Sequence, residues 1–552
     1  MKLLLKNILQ TFIVLLPLLS FTPLSNSLPL STSSRWIIDE NSGERVKLAC
    51  INWAGHLHAM VPEGLDKKPL KEIVNFVALN GYNCVRLTWA TYMFTRSNYS
   101  SLTVTQSLDH WGLTQAREGM AKNNPWVMGL TPFKAQKAVV DELGARDIMV
   151  VLDNHVSLPK WCCGYEDGNG FFGDEFFDPN EWLQGLSMVA KLYKGIDTVV
   201  GMSLRNELHG ERENWNDWYK YIPKGATTIH KANPDVLVII SGLNFDLDLS
   251  MLKRKPLPLA SNLKPKLVYE AHWYSFSSSH STDQWTFQTN ECCANITRSF
   301  MSRAGYLATG PNPAPLFLSE FGVDQNGANE KDNRYLSCIL GFLAERDLDW
   351  ALWTLQGSYM LREGNVGVEE TYGLLDINWD RLRNSTLQHK LELVQHMTQD
   401  PNSEGPTNYV LFHPQSGQCA QHGSGGLYLG NCSEASKWSY CGNGTPIRLA
   451  GPTTALSLRT FTLLYLPVPT PPSYDHHRLS LSRRPLQRNR DHRQNPFPVL
   501  PSLMFGFDKT KLHPEYGDSA VKIGKALSWL ASQRTKVNPN SSLTSAVVDV
   551  WV

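Results

Sequence analysis

At 552 residues the chain exceeds one ordinary domain, so a large globular unit followed by something smaller is expected. A formal net charge of +1 excludes the basic excess that a nucleic-acid or anionic-membrane partner would favour, while a 42% apolar share suffices for a packed core. The 17 Trp and 19 Tyr supply flat aromatic faces, which serve core packing and sugar stacking alike.

Residues 1–27 read as an export signal. Lys2 and Lys6 precede an apolar run from Ile8 to Phe21, and Ser25-Asn26-Ser27 offers small residues at a cleavage point before Leu28. Pro17 breaks the run, and nothing later approaches ~18 consecutive apolar residues, so no membrane anchor is expected in the mature chain. The mature protein is expected outside the cell or in the cell wall, with its ten cysteines in disulfides. The doublets Cys162-Cys163 and Cys292-Cys293 could bridge two long loops to each other, and Cys50 and Cys84 fall in neighbouring strand-like runs. Sequons at Asn98, Asn295, Asn384, Asn431, Asn443 and Asn540 fit a glycosylated surface.

Residues 28–400 form the expected main domain. Strand-like runs at 46–53, 84–89, 148–152, 199–204, 236–240, 267–269, 316–318 and 350–353 alternate with helical spacing at 70–78, 133–143, 181–193 and 335–345. Eight such runs predict an α/β fold, a closed (β/α)8 TIM barrel, in which chemistry gathers where the strands end.

The strand ends carry the reactive groups. The fourth run stops at Arg205-Asn206-Glu207, where Glu207 suits a general acid and Asn206 could hold a substrate hydroxyl, although a lone Glu there is as readily a surface residue. Glu320 ends the seventh run, three βα units on, so both carboxylates can project over one mouth. Two facing carboxylates are the machinery of glycoside hydrolysis; about 5–5.5 Å apart they act with retention, about 6.5–9.5 Å apart with inversion. Arg86 ends the second run, where it would hold Glu320 ionised or serve as a barrel salt bridge. His155 follows the third run, and His272 and Tyr274 follow the sixth, as groups that could orient the acid and hydrogen-bond the nucleophile. Trp353 ends the eighth, either as the floor under the reacting sugar or as a core residue.

His56-Leu57-His58 with His155 offers residue types that bind zinc, but the i, i+2 pair lacks metalloprotease-type spacing and two carboxylates need no metal, so neither metal nor cofactor is expected. These histidines are expected to line sugar subsites. The loop 159–179, with Trp161, Tyr165, Phe171 and Phe172, is expected to wall the cleft or to be merely structural.

The set Arg86, His155, Asn206-Glu207, His272-x-Tyr274, Glu320 and Trp353, one item per strand end in this order, resembles glycoside hydrolase family 5, the cellulase-like retaining glycosidases, over about residues 36–397. The resemblance implies Glu207 as acid/base, Glu320 as nucleophile and the other six as substrate-binding and support residues. It further implies a secreted hydrolase acting on a β-linked glucan or mannan of cell-wall polysaccharide. Leu208 departs from the family, which often has Pro after Asn-Glu. Two rivals stand beside this expectation: a barrel that binds wall carbohydrate without turnover, and a transglycosylase on the same scaffold.

Beyond a polar connector, residues 408–450 turn to Gly, Ser and short strands, and the run from Leu411 to Tyr440 resembles one repeat of a ricin B-type β-trefoil lectin, implying a Cys419–Cys432 bridge and carbohydrate binding. A trefoil needs three repeats, so this unit is expected to be partial. Residues 451–552 turn to Pro, Thr, Leu and Arg and are expected to be an irregular solvated tail, with a short helix near 520–532. An altered reading frame or retained intron would also explain why the trefoil pattern stops and Cys441 lacks an evident partner.

Overall fold

In the computed structural model the eight apolar runs become eight parallel strands: β1 Ala49–Trp53, β2 Cys84–Ala90, β3 Met149–Val156, β4 Val199–Ser203, β5 Leu237–Ile240, β6 Leu267–His272, β7 Leu316–Phe321 and β8 Asp349–Leu352. The structure describes residues 29–399, 408–423, 426–439, 448–450 and 546–549; the expected signal at 1–27, the helix near 520–532, Cys441 and nearly all of the tail lie outside them. Each strand pairs with its sequence neighbours, and β8 pairs back onto β1, closing the barrel. The strands read as almost continuous apolar runs because both faces are covered: nearly every strand residue is buried.

The outer layer follows from three- and four-residue spacing. Helix α1, Leu70–Leu79, buries Leu70, Ile73, Val74 and Val77 against the barrel. Helix α2 spans Pro132–Gly144 and α3 spans Pro179–Leu192, both opening on a proline whose missing N–H costs the first turn nothing. Asp178 caps α3, accepting from the Asn180 and Glu181 N–H groups. Helices α4 (Trp215–Ala232), α5 (Thr289–Arg303), α6 (Glu330–Arg346) and α7 (Ser385–His396) complete the ring.

Two hairpins were not expected. Leu30–Ser33 pairs with Trp36–Asp39, and Ser358–Arg362 pairs with Asn365–Glu369 beside the barrel mouth. The second turns through Glu363 and Gly364, both at positive φ, a turn usually signalled by Asn-Gly or Asp-Gly; Glu in the first position hides it.

The cysteine doublets do not bridge each other. Cys162 and Cys163 are joined to one another, and Cys293 is joined to Cys338, tying α5 to α6. Adjacent residues on a helix point about 100° apart, so one member of the second doublet faces α6 and Cys292 is left as a buried thiol. Cys50 and Cys84 sit opposite each other on β1 and β2 and are bridged.

Past the barrel, strands Tyr409–His413, Gln418–Gly423 and Gly426–Gly430 pair antiparallel, and Cys419 is bridged to Cys432. Val410, Phe412 and Cys419 join the same apolar cluster as the barrel helices, so this small sheet packs on the barrel. Residues Ala546–Asp549 run parallel beside Tyr409–His413. Among the described residues the segment is a single small sheet, not a threefold trefoil.

Candidate active site

Register brings the site together at the C-terminal ends of the strands. Asn52 on β1 lies opposite Arg86 on β2, and the Arg86 guanidinium, wholly buried in the barrel throat, reaches five partners. Nη1 donates to Glu320 Oε1 at 2.8 Å and to Asn52 Oδ1 at 3.0 Å; Nη2 donates to Asn206 Oδ1 at 2.9 Å and lies 3.1 Å from Asp153 and 3.6 Å from Glu270. A planar fork with five donors can hold such a set where a point charge cannot. Tyr274 donates its O–H to the other oxygen of Glu320 at 3.0 Å, so both carboxylate oxygens are gripped.

Glu207 is held differently. Its φ is +40°, a left-handed conformation that a non-glycine residue adopts only under constraint, and its N–H donates to Asp246 Oδ2 at 2.9 Å. Its side chain meets one polar group, His272, whose Nδ1 is 2.8 Å from Oε1. Leu208, the departure from the expected proline, is fully buried in the core, and its carbonyl accepts from the Phe245 N–H at 3.0 Å. Packing and this bond thus fix the turn that proline would otherwise stiffen. An oxygen of Glu207, an oxygen of Glu320 and a nitrogen of His272 all lie within 4.8 Å of one another.

All eight expected residues converge here. Arg86 lies beneath the floor of a cleft of about 620 Å³, and the other seven line it. Asn206 turns its Nδ2 toward the sulfurs of Cys162 and Cys163, at 3.7 and 3.6 Å. His155 Nδ1 is 2.6 Å from Asp153 Oδ2, which fixes the ring, and that ring lies 5.8 Å from Trp353 at 14°.

A family model described as cellulase (glycosyl hydrolase family 5) matches residues 40–358, more than half of the chain. The chain belongs to glycosyl hydrolase family 5. A glycosyl hydrolase 5 family protein of Chamaecyparis obtusa is 46% identical over 458 residues, covering 81% of each chain. An endoglucanase of Paenibacillus polymyxa is 22% identical over 403 residues, covering 68% of this chain and 92% of its own. Among solved structures, the hyperthermophilic endocellulase from the archaeon Pyrococcus horikoshii superposes with a TM-score of 0.53 at 18% identity, over 67% of this chain and all of that one, a likeness of fold. The protein is a glycoside hydrolase.

Two expectations about this enzyme, those for His56 and His58, need correction. His56 does not line the cleft: it is fully buried behind His155, ring centroids 4.0 Å apart, with Nδ1 2.7 Å from Thr88 Oγ1. His58 packs edge-on to Trp111 instead. In the loop 159–179, Trp161 and the Cys162–Cys163 pair wall the cleft, whereas Phe171 and Phe172 are buried and Phe172 packs on Trp182 of α3, because the loop has a core of its own. Sequence reasoning also missed Asn52, Asp153, Asp246 and Glu270. A polar residue inside an apolar run, as in Val268-Tyr269-Glu270-Ala271, marks two of them as unusual without saying what they pair with.

The two carboxyls share a raised pKa and differ in what touches them. Burial lifts both Glu207 and Glu320 from an ordinary 4.5 to about 7. Arg86 and Tyr274 both bind the ionised form of Glu320 at its carboxylate, whereas His209, whose charge also favours the ionised form of Glu207, touches the Glu207 backbone carbonyl rather than its carboxyl. Burial lowers the His272 pKa, leaving the ring neutral. Glu207, His272 and Glu320 could present three ligand atoms to a cation, but the Arg86 charge on Glu320 opposes a second positive charge there.

The same shifts set a pH dependence of stability. A carboxyl whose pKa is higher folded than unfolded contributes stability below its ordinary pKa and loses it as pH rises toward about 7. Between about pH 5 and about pH 8 the melting temperature of the wild type should therefore fall relative to that of Glu207→Gln, whose amide is neutral throughout. A constant gap between the two melting curves would contradict the shift.

Proposed function

We propose that this family 5 enzyme is a retaining endo-glycosidase of β-linked cell-wall glucan, with Glu320 as nucleophile and Glu207 as acid, then base. One observation carries the reading: one oxygen of each carboxyl lies within 4.8 Å of the other, so the two groups face each other closely, as the spacing of about 5–5.5 Å between carboxyls in double displacement requires. Glu320 attacks the anomeric carbon while the Glu207 proton passes to the departing glycosidic oxygen, forming a glycosyl ester. Glu207, now ionised, takes a proton from water as that water attacks the same carbon and Glu320 leaves. The unequal environments of the two carboxyls support this division of roles.

A glucan is supported by the relatives, since those of Paenibacillus polymyxa and Xanthomonas campestris are endoglucanases. A cleft of about 620 Å³ has room for more than one sugar ring, which supports internal cleavage. Mannan is the second substrate class to be tried. We further infer export to an extracellular or wall location, supported by the disulfides of the described residues, which persist in oxidising compartments. The small C-terminal sheet is proposed as an accessory sugar contact, supported by its half-exposed Tyr428.

Proton NMR of the first-formed products, run on cello-oligosaccharides, mixed-linkage β-glucan, mannan and xylan, tests both parts of the proposal. Retention predicts that the β-anomer appears first and later mutarotates. An α-anomer formed first would overturn the double displacement, and cleavage of mannan or xylan alone would overturn the glucan assignment.

A further inference from the structure

After β5 the backbone does something costly: Asn244, Phe245 and Asp246 have φ values of 54°, 57° and 58°, three left-handed residues in a row with no glycine among them. Such a run persists only where the surroundings impose it. Beside the turn's own bonds among Leu243, Asn244, Leu247 and Asp248, those that reach outside it lead to the acid side of the site. Asp246 Oδ2 accepts from the Glu207 N–H at 2.9 Å, the Asp246 carbonyl accepts from the His272 N–H at 3.0 Å, and the Phe245 N–H donates to the Leu208 carbonyl at 3.0 Å. The Asn244 N–H is held by the Glu213 carboxylate at 3.1 Å, and the Phe245 ring stacks on His209, 4.5 Å apart at 6°. The turn thus ties the chain just beyond β4, where Glu207 sits, to the end of β6, where His272 sits.

Glu207 is itself left-handed, and its side chain has a single polar contact. Nothing like the Arg86 and Tyr274 grip on Glu320 fixes its aim, so the aim has to come from the backbone. We propose that Asp246 is a positioning residue, which holds the Glu207 backbone in the conformation that points its carboxyl into the cleft and sets His272 against it. The inference rests on the reading of Glu207 as the proton donor.

The charged and titratable groups facing Asp246 are Glu207, Glu270, His272 and Arg86. Burial, with Glu270 and Glu207 adding to it and Arg86 opposing, pushes the Asp246 carboxyl well above the usual range. A neutral acid still offers a carbonyl oxygen to the Glu207 N–H, so an amide of the same shape should do the same work, and Asn tolerates the left-handed backbone as Asp does.

The test compares Asp246→Gly, which suits the positive φ but removes the acceptor, with Asp246→Asn, which keeps both, on two substrates. A cello-oligosaccharide needs its leaving oxygen protonated; a dinitrophenyl β-cellobioside does not. In Asp246→Gly, kcat/KM on the oligosaccharide should fall about 10²-fold, the usual cost of a small misplacement of a reacting group, while kcat/KM on the dinitrophenyl substrate holds. Asp246→Asn should restore most of the oligosaccharide rate. An equal fall on both substrates, or on neither, overturns the proposal. Should Asp246→Gly not fold, Asp246→Asn decides: a rate near wild type on the oligosaccharide supports the role of the acceptor, and a selective loss there refutes it. Glu207→Ala, run in parallel, should show the same split between substrates at about 10²- to 10⁴-fold. If Glu207→Ala shows no split, the assignment of the acid fails; if it does and Asp246→Gly does not, only the positioning role fails.

Discussion

Glu320→Ala should lose turnover on every substrate, by at least about 10⁴-fold, because it removes the carboxylate proposed to form the bond to the anomeric carbon. The loss should not depend on the leaving group, which separates it from loss of the acid. Added azide should restore part of the rate on a dinitrophenyl β-glycoside, since truncation leaves a space where the carboxylate stood and a small anion can enter it. Arg86 Nη1 and the Tyr274 hydroxyl remain there as donors with no carboxylate to bind, a ready site for such an anion. The azide would attack from the face that Glu320 occupies, so the product is the α-glycosyl azide, identifiable by its NMR coupling. Wild-type-like turnover would remove Glu320 from the mechanism, and a β-azide would show that Glu320 and Glu207 had been assigned in the wrong order.

How much of this was legible depends on how local the signal is. The barrel was, because a parallel sheet covered on both faces writes each strand as an apolar run; all eight runs became strands, although those ending in His272 and Phe321 extend further than their apolar letters, since the polar residues that close them point into the throat. That the eight residues would converge was legible for the same reason: each stands at the end of a run, and the fold brings run ends together. Asp153 and Glu270 were not, because a carboxyl within a strand is ambiguous until the Arg86 fork that neutralises it is in place. Asp246 carries no periodic signal at all; its meaning lies in a left-handed turn made of residues that do not advertise one. Cysteine pairing was equally hidden, since the partner of Cys293 is decided by which face of α5 meets α6.

Arg86→Met should be the most destabilising single change in the throat. Met replaces the aliphatic stem of Arg and ends near the position of Nε, so what is lost is the guanidinium with its charge and donors. It strips a buried cation from Asp153, Glu270 and Glu320 and donors from Asn52 and Asn206, a break of the kind that costs about 3–5 kcal/mol. The sign of the pH dependence is fixed by what the carboxyls do next. Burial already raises Asp153, Glu270 and Glu320, with Arg86 opposing in each case; without it they rise further, and a carboxyl raised in the folded state stabilises at low pH and loses that contribution as pH increases. Urea unfolding at about pH 5 should therefore show a smaller deficit against wild type than at about pH 8, where folding would have to bury uncompensated charge or hold protons against the solvent. Activity should move the same way: the acid limb of kcat/KM, which the proposed mechanism assigns to ionisation of Glu320, shifts to higher pH. Arg86→Lys should recover little, because one ammonium cannot reach Glu320, Asn206 and Asp153 together. Equal deficits at both pH values, or full recovery with lysine, would mean that Arg86 acts in the throat as volume rather than as the charge that keeps Glu320 ready to attack.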